Sequence, residues 1–381
     1  MKFKIIFILL LSTSLMISCA KSPVEPESPP VLEDVIKIVS GRAYNLALKS
    51  DGTVWAWGYN GFGNLGINPD SIIQSEIAIK IESLENIIDV EAGYNHCFAL
   101  SSDGTLYAWG GNYFGQLGIG QKFPSTHIPQ EVKISNGVKS VAAGHDFSLA
   151  LMDDGSIYSW GRNYKGSLGI GSYNEKFSPT KIEPLTNVDK IETWLWSCIA
   201  LDDQGNVWTW GDNTFQQLGR QTEPSFDMDP FPAKVDSLAT VIGIASGIRT
   251  YVITQSNQVI QFGYENSLLS NLSQVSQIKC SEDHQLALKL DSKVVAWGKN
   301  EYGQLGNGSN ESVYLSENAP VEIVSLSNII QIETGESHSL ALQSNGTVWA
   351  WGWNAGGQLG NDTIVDSNVP VQVLVSRQSW D

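Results

Sequence analysis

The chain has 381 residues, enough for one large domain or two average ones. Charged residues make up 17% and apolar residues 42%, with 36 glycines and 13 tryptophans, which excludes a disordered chain and fits many turns around an aromatic-rich core. The net charge of −17 opposes binding to nucleic acid or to anionic lipid headgroups and is compatible with basic partners or cations.

Residues 1–18 read as an export signal outside the fold. Lys2 and Lys4 form a basic start, and Ile5 to Leu11 an apolar core too short for a comfortable membrane span. Leu15-Met16-Ile17-Ser18-Cys19-Ala20 resembles a bacterial lipobox, with Met16 where such sites usually carry leucine. The resemblance implies that Cys19 becomes the lipidated first residue of an exported chain, anchored to a bacterial membrane or cell surface. Ordinary secretory cleavage nearby, giving a secreted chain, and an uncleaved anchor are the other readings. Residues 19–34, with KSPVEPESPP at their heart, form a proline-rich semi-rigid spacer. Loss of Lys2 and Lys4 leaves 21 basic residues against 40 acidic ones, a net charge of −19.

From residue 35 onward one phrase recurs. An aromatic-glycine step closes a short strand at Trp57-Gly58, Trp109-Gly110, Trp160-Gly161, Trp210-Gly211, Phe262-Gly263, Trp297-Gly298 and Trp351-Gly352. Successive glycines are 52, 51, 50, 52, 35 and 54 residues apart, a period that marks a propeller or array. The last copy is the clearest. His338 to Gln343 forms a strand, Asn345-Gly346 a type I′ turn with two positive-φ positions, and Thr347 to Trp351 the returning strand. Asn354, Gly357 and Gly360 suit a loop needing backbone freedom. The turn recurs as Asp51-Gly52, Asp103-Gly104, Asp154-Gly155 and Gln204-Gly205, and without glycine as Asn257-Gln258 and Ser292-Lys293. A third segment, usually opened by proline (Pro129, Pro179, Pro232, Pro320, Pro370), and a fourth apolar run complete each copy. Helix-period patterns are scarce after residue 20. The expectation is an all-β chain with four short strands per copy, closed into one domain over residues 35–375 with a tail at 376–381. The fifth copy lacks its loop, so its blade should be shortened in its outer part or reduced to three good strands. Val35 to Val39 is expected to close the ring by completing the last blade beside the C-terminal strand.

The combination G-x-x-H-S-L-A-L, D/N-G-x-V-x-x-W-G and x-N-x-x-G-Q-L-G, best seen in Gly335 to Gly360 and Gly93 to Gly118, resembles the repeat of the regulator of chromosome condensation family. It covers nearly all of residues 35–375. The resemblance implies a seven-bladed β-propeller with four-stranded blades, matching the count of copies. It also brings three activities of relatives into view: guanine-nucleotide exchange on a small GTPase, inhibition of a secreted enzyme, and photoreception by clustered tryptophans. Export and charge weigh against the first, and tryptophans that follow the repeat weigh against the last.

Other chemistry is thinly represented. Gly61-Phe62-Gly63-Asn64-Leu65-Gly66 has the spacing of a nucleotide loop, but Ile67-Asn68-Pro69-Asp70 opposes the helix such a site needs. His96, His284 and His338 share one repeat position with Tyr44, Phe147, Ser197 and Thr250, which argues for packing rather than metal binding or catalysis. His127 and His145 stand alone. Glu223, Asp227 and Asp229 crowd the longest loop without the spacing of an EF-hand. Cys97, Cys198 and Cys280 fall in different copies and read as buried free thiols. Trp194, Trp196 and Trp353 stand outside the repeat positions and are expected at the surface. No catalytic residue, cofactor or metal is expected.

The turns entering the first strand of each copy should gather on one face around the central channel. They carry Arg42 and Tyr44, Tyr94 and Asn95, Asp146 and Phe147, Trp196, Arg249, Asp283 and Glu336. Aromatics mixed with charge suit a protein- or peptide-binding patch; the same aromatics could simply plug the channel mouth. The reading is a non-enzymatic binding scaffold, monomeric, touching a membrane only through its N-terminal lipid.

Overall fold

The computed structural model describes residues 29–376, apart from 136, 184, 223–226, 237, 263–265 and 315–319. Cys19 and the export signal therefore lie outside the described residues. Seven antiparallel four-stranded sheets are present, each built from four strands consecutive in the chain. Blade 1 comprises Val35–Ser40, Tyr44–Lys49, Val54–Tyr59 and Gln74–Lys80; blade 7 comprises Ile329–Thr334, His338–Gln343, Val348–Gly352 and Ser367–Gln372. First strands touch in cyclic order, that of blade 7 meeting that of blade 1, so the sheets form a ring around a channel. Among the described residues, the helical content is one 3-10 turn, Tyr164–Gly166. The fold is the all-β seven-bladed propeller expected from the repeat.

Each blade is covered on both faces, so its middle strands are buried almost throughout. In blade 7, Leu340, Leu342, Val348 and Ala350 pack toward blade 1 with Ala47 and Trp57. The opposite face presents Ala341 and Trp351 to Leu286 and Leu305 of blade 6. Period-two alternation thus serves two cores at once.

The repeat phrase turns out to be an inter-blade fastening. Trp57, Trp109, Trp160, Trp210 and Trp351 are fully buried. Each donates its indole N–H across the blade boundary, to the carbonyls of Gln358, Asn64, Gln116, Ser167 and Gln304 at 2.8–3.0 Å. In four of the five, the last glycine of the preceding loop lies against that indole (Gly360 on Trp57, Gly118 on Trp160, Gly169 on Trp210, Gly306 on Trp351), whereas Gly66 packs on Ile81. A Cβ on Gly306 would sit 2.7 Å from Trp351 Nε1, and φ there is +65°. Trp297 lies beyond the blade that lacks the loop, and it meets Tyr251 edge-on at 6.0 Å instead.

Several expectations are corrected. At each D/N-G turn only the glycine has positive φ, for example Gly346 at +86°, and Asn345 does not. Gly346 N–H bonds Gln343 O and Gln343 N–H bonds Thr347 O, which makes a three-residue loop with one left-handed position rather than a type I′ turn. Asn257 (φ +56°) and Ser292 (φ +64°) take the glycine's place in blades 5 and 6. Asn354 supplies no backbone freedom. It is buried, its Oδ1 accepts from Leu359 N, and its amide donates to Thr363 O and Val365 O, so the side chain organises the loop. The prolines sit within or beside outer edge strands, where a missing N–H costs no ladder bond.

Val35–Ser40 does not complete the last blade. It pairs with Tyr44–Lys49 as the inner strand of its own blade. Every copy begins with its apolar run, so no strand is left over for exchange. Closure comes from short flanking segments instead. Leu32 N–H bonds Val373 O, Val375 N–H bonds Pro30 O and Ala78 N–H bonds Leu374 O, each at 2.8 Å, joining the segment before the first strand to the segment after the last one and to the outer strand of blade 1. Blade 5 carries a full outer strand, Ser267–Ser273. Its brevity lies elsewhere: residues 262–266 join its third and outer strands, where blade 1 uses 60–73.

Candidate functional site

The turns between first and second strands ring one mouth of the channel. Arg42, Tyr94, Gly144, His145, Leu195, Glu282 and Glu336 belong to the walls of a cavity of about 140 Å³ to which all seven blades contribute. Backbone bonds link turn to turn: Glu336 N–H to Arg42 O, Arg42 N–H to Tyr94 O, Tyr94 N–H to Gly144 O and His145 N–H to Leu195 O. Blades 7, 1, 2, 3 and 4 thereby share a fixed collar.

Side chains on this collar form one connected array. Arg42 bonds Glu336 at 2.8 Å and lies 5.0 Å over the Tyr94 ring. Tyr94 stacks on His145 at 4.1 Å, His145 faces Trp196 at 5.3 Å, and Tyr164 meets Trp196 edge-on at 4.9 Å. Arg162 lies over Phe114 at 4.3 Å and Tyr164 at 5.2 Å. Asp146 is buried beneath, with Oδ2 2.9 Å from His145 Nδ1 and 3.3 Å from Arg162. Burial pushes its carboxyl up, but contact with His145 and Arg162 outweighs this and holds it below the usual range.

Of the ten residues expected on this face, Arg42, Tyr94 and Glu336 line the cavity. Half-buried Trp196 and buried Asp146 join the array. Asn95 is half-buried, and its carbonyl accepts from Gly111 N. Arg249 is exposed on the blade 5 turn, and Asp283 pairs with Lys299 at 2.5 Å; neither lines the cavity. Tyr44 and Phe147 are corrections. Both are buried between blades, with Tyr44 Oη 2.9 Å from Gly93 O and 2.8 Å from His96 O, because theirs is the packing position shared with the histidines. Trp194 and Trp353 are half-buried rather than fully at the surface.

Those histidines are structural. His96 Nε2 lies 2.8 Å from Ser148 Oγ, His284 Nε2 2.7 Å from Ser339 Oγ, and His338 Nε2 2.8 Å from Asn45 Oδ1. Burial pushes them down, to about 4, 3 and 3. Cys97, Cys198 and Cys280 are free thiols, all pushed up by burial. Asp229 pairs with Arg220 at 2.9 Å, while Glu223 lies outside the described residues.

Sequence reasoning missed the channel wall. The fifth residue of each first strand is Val39, Glu91, Ala142, Glu192, Ala245, Lys279 and Glu333 in turn. Lys279 stands 3.5 Å from Glu192 and 3.3 Å from Glu333, and Lys37 4.0 Å from Glu91. Burial raises Glu91 to about 8 against the pull of Lys37 and Lys279, and raises Glu333 as well. The signal was present: four charged residues and three aliphatic ones share one repeat position.

Residues 16–269 match the model of the RCC1-like domain, and residues 291–342 and 345–380 match the regulator of chromosome condensation (RCC1) repeat. The chain belongs to the RCC1 repeat family. Within it, the chain is 28% identical to the ultraviolet-B receptor UVR8 of Arabidopsis thaliana, over 88% of this chain and 69% of that protein. It is 29% identical to the E3 ubiquitin-protein ligase HERC2 of Mus musculus, over 86% of this chain but 6% of the ligase. Among solved structures, Prp20p of Saccharomyces cerevisiae, described with its binding to Gsp1p and histones, is similar in fold (TM-score 0.55, 22% identity, 89% of this chain and 76% of that one). Human WBSCR16 is equally similar (TM-score 0.55, 23% identity, 90% and 83%).

Proposed function

We propose that this chain is a non-enzymatic scaffold that binds a protein or peptide partner on the collar face, displayed on a bacterial membrane or cell surface by lipid at Cys19. The observation that carries the reading is the collar itself: Arg42, Tyr94, His145, Trp196 and Tyr164, from four blades, held in one array around a cavity mouth. Rigid aromatic and arginine side chains on a preorganised surface are the usual anchors of protein interfaces. The test is capture of partners from surface extract by the full chain, compared with Tyr94→Ala and Trp196→Ala. Phe147→Ala would report only on folding. Partners retained equally by both collar variants would remove this face. Radioactive fatty-acid labelling that survives Cys19→Ala would remove the lipid site.

Family membership favours a second reading, nucleotide exchange on a small GTPase. The −17 charge and the export-type N-terminus rank it lower. A nucleotide-release assay with a small GTPase decides between them.

A further inference from the structure

We propose that the partner presents an extended segment that lodges one basic side chain in the channel mouth and runs outward over Trp196 into a cavity between blades 3 and 4. This rests on the binding reading above and specifies the partner's chemistry. The mouth has room for the end of one long side chain, not for a folded element. Its walls carry five carboxylates, Glu91, Glu192, Glu282, Glu333 and Glu336, against the cations Arg42 and Lys279. Lys279 is engaged by Glu192 and Glu333, and Arg42 by Glu336. That leaves two carboxylates to receive an incoming cation: Glu282, which makes no ion pair among the described residues, and Glu91 on the channel wall, whose one ion pair is the long contact to Lys37 at 4.0 Å. The chain's charge of −17 would draw a basic segment to the molecule, and the carboxylates at the mouth would then receive it.

A second, separate feature gives the segment a direction. The stacked path Tyr94, His145, Trp196 and Tyr164 leads from the axis outward. It opens into a cavity of about 510 Å³ lined by Tyr164, Lys165, Tyr173, Glu175 and Met228, with Arg162 at its inner end. Tyr173 is 55% exposed there. Clamping of Arg162 between Phe114 and Tyr164, with Asp146 beneath, fixes that wall before any partner arrives. Aromatic faces beside an acidic pocket suit a segment in which apolar residues flank a lysine or arginine.

The experiment starts from a random-peptide phage library panned on the full chain. Selected peptides are resynthesised with a fluorescent label, and each basic residue is replaced in turn by norleucine. One replacement should weaken binding at least about tenfold by anisotropy, and Glu91→Gln should shrink that penalty. Tyr164→Ala and Trp196→Ala should weaken every peptide without changing which basic position matters. Binding should also tighten between pH 7 and pH 9, because Glu91 is held up to about 8 among Lys37, Asp89, Glu192, Lys279 and Glu333 until a cation arrives. Thermal melts of each variant separate misfolding from lost contact. Peptides lost with Trp196→Ala yet indifferent to every norleucine replacement would overturn this inference and leave the binding face standing. Peptides indifferent to Trp196→Ala and Tyr94→Ala, or no selected peptide at all, would overturn both.

Discussion

Ring closure by Pro30–Leu32 against Val373–Val375 makes Leu32 a core residue, although it precedes the first strand. Its side chain is fully buried with Val35, Trp57, Leu359 and Val373 at the seam between blades 7 and 1. Leu32→Ala leaves the backbone bond to Val373 O in place and removes only the buried aliphatic group. Buried leucine-to-alanine changes cost about 3 kcal/mol, including the cavity left behind. A frayed terminal segment would instead lose less than about 0.5 kcal/mol. Urea unfolding followed by tryptophan fluorescence reads the difference as a lower midpoint at an unchanged slope. Val373→Ala should also destabilise, and the double variant should cost less than the two singles together because they empty one shared site. A loss under about 0.5 kcal/mol for Leu32→Ala would refute closure at this seam. So would strict additivity of the two changes.

Gly306→Ala should cost at least about 2 kcal/mol, from positive φ and collision with the Trp351 indole, read as a lower urea midpoint; an unchanged midpoint would sink the fastening role. Trp351→Phe loses the bond to Gln304 O and leaves a cavity where the rest of the indole sat, and should cost about 2 kcal/mol. His338 is held down to about 3, so the unfolded chain takes up its proton first as pH falls below 6.5. That group alone should withdraw about 3 kcal/mol between pH 6.5 and pH 4, and His338→Asn should flatten the stability profile across that window. Glu91 works in the opposite sense. Raised from the usual 4.5 to about 8, it penalises folding progressively as pH rises through that interval. With its side chain 28% accessible to channel water, we expect Glu91→Gln to gain about 1–2 kcal/mol at pH 9 and nothing at pH 4, measured by the same titration.

The scaffold was legible because its determinants are local and repeated. Tryptophan-glycine steps, hairpin turns and the asparagine-glycine loop each recur at one register, so seven copies announce seven blades. Details needing a third dimension were not legible. Asn345-Gly346 has the composition of a type I′ turn, yet the extra residue Ser344 selects a looser loop. Val35 to Val39 looked like a spare strand only because the copies were phrased from the histidine rather than from the apolar run. The face was placed by the turns, but Tyr44 and Phe147 were drawn onto it by sequence adjacency, whereas alternation turns them into the blade interface. Glu91, Glu192 and Glu333 were missed because each looks like an ordinary surface charge until its strand is known to line a channel.

The central claim is that the collar face receives the partner. A library-selected peptide carrying a benzophenone group, photolysed on the full chain and mapped by mass spectrometry, tests it directly. Attachment at Tyr94, Leu195, Trp196 or Tyr164 is the predicted result. Attachment confined to the opposite face, at the hairpin turns 50–53, 102–105 or 153–156, would contradict it.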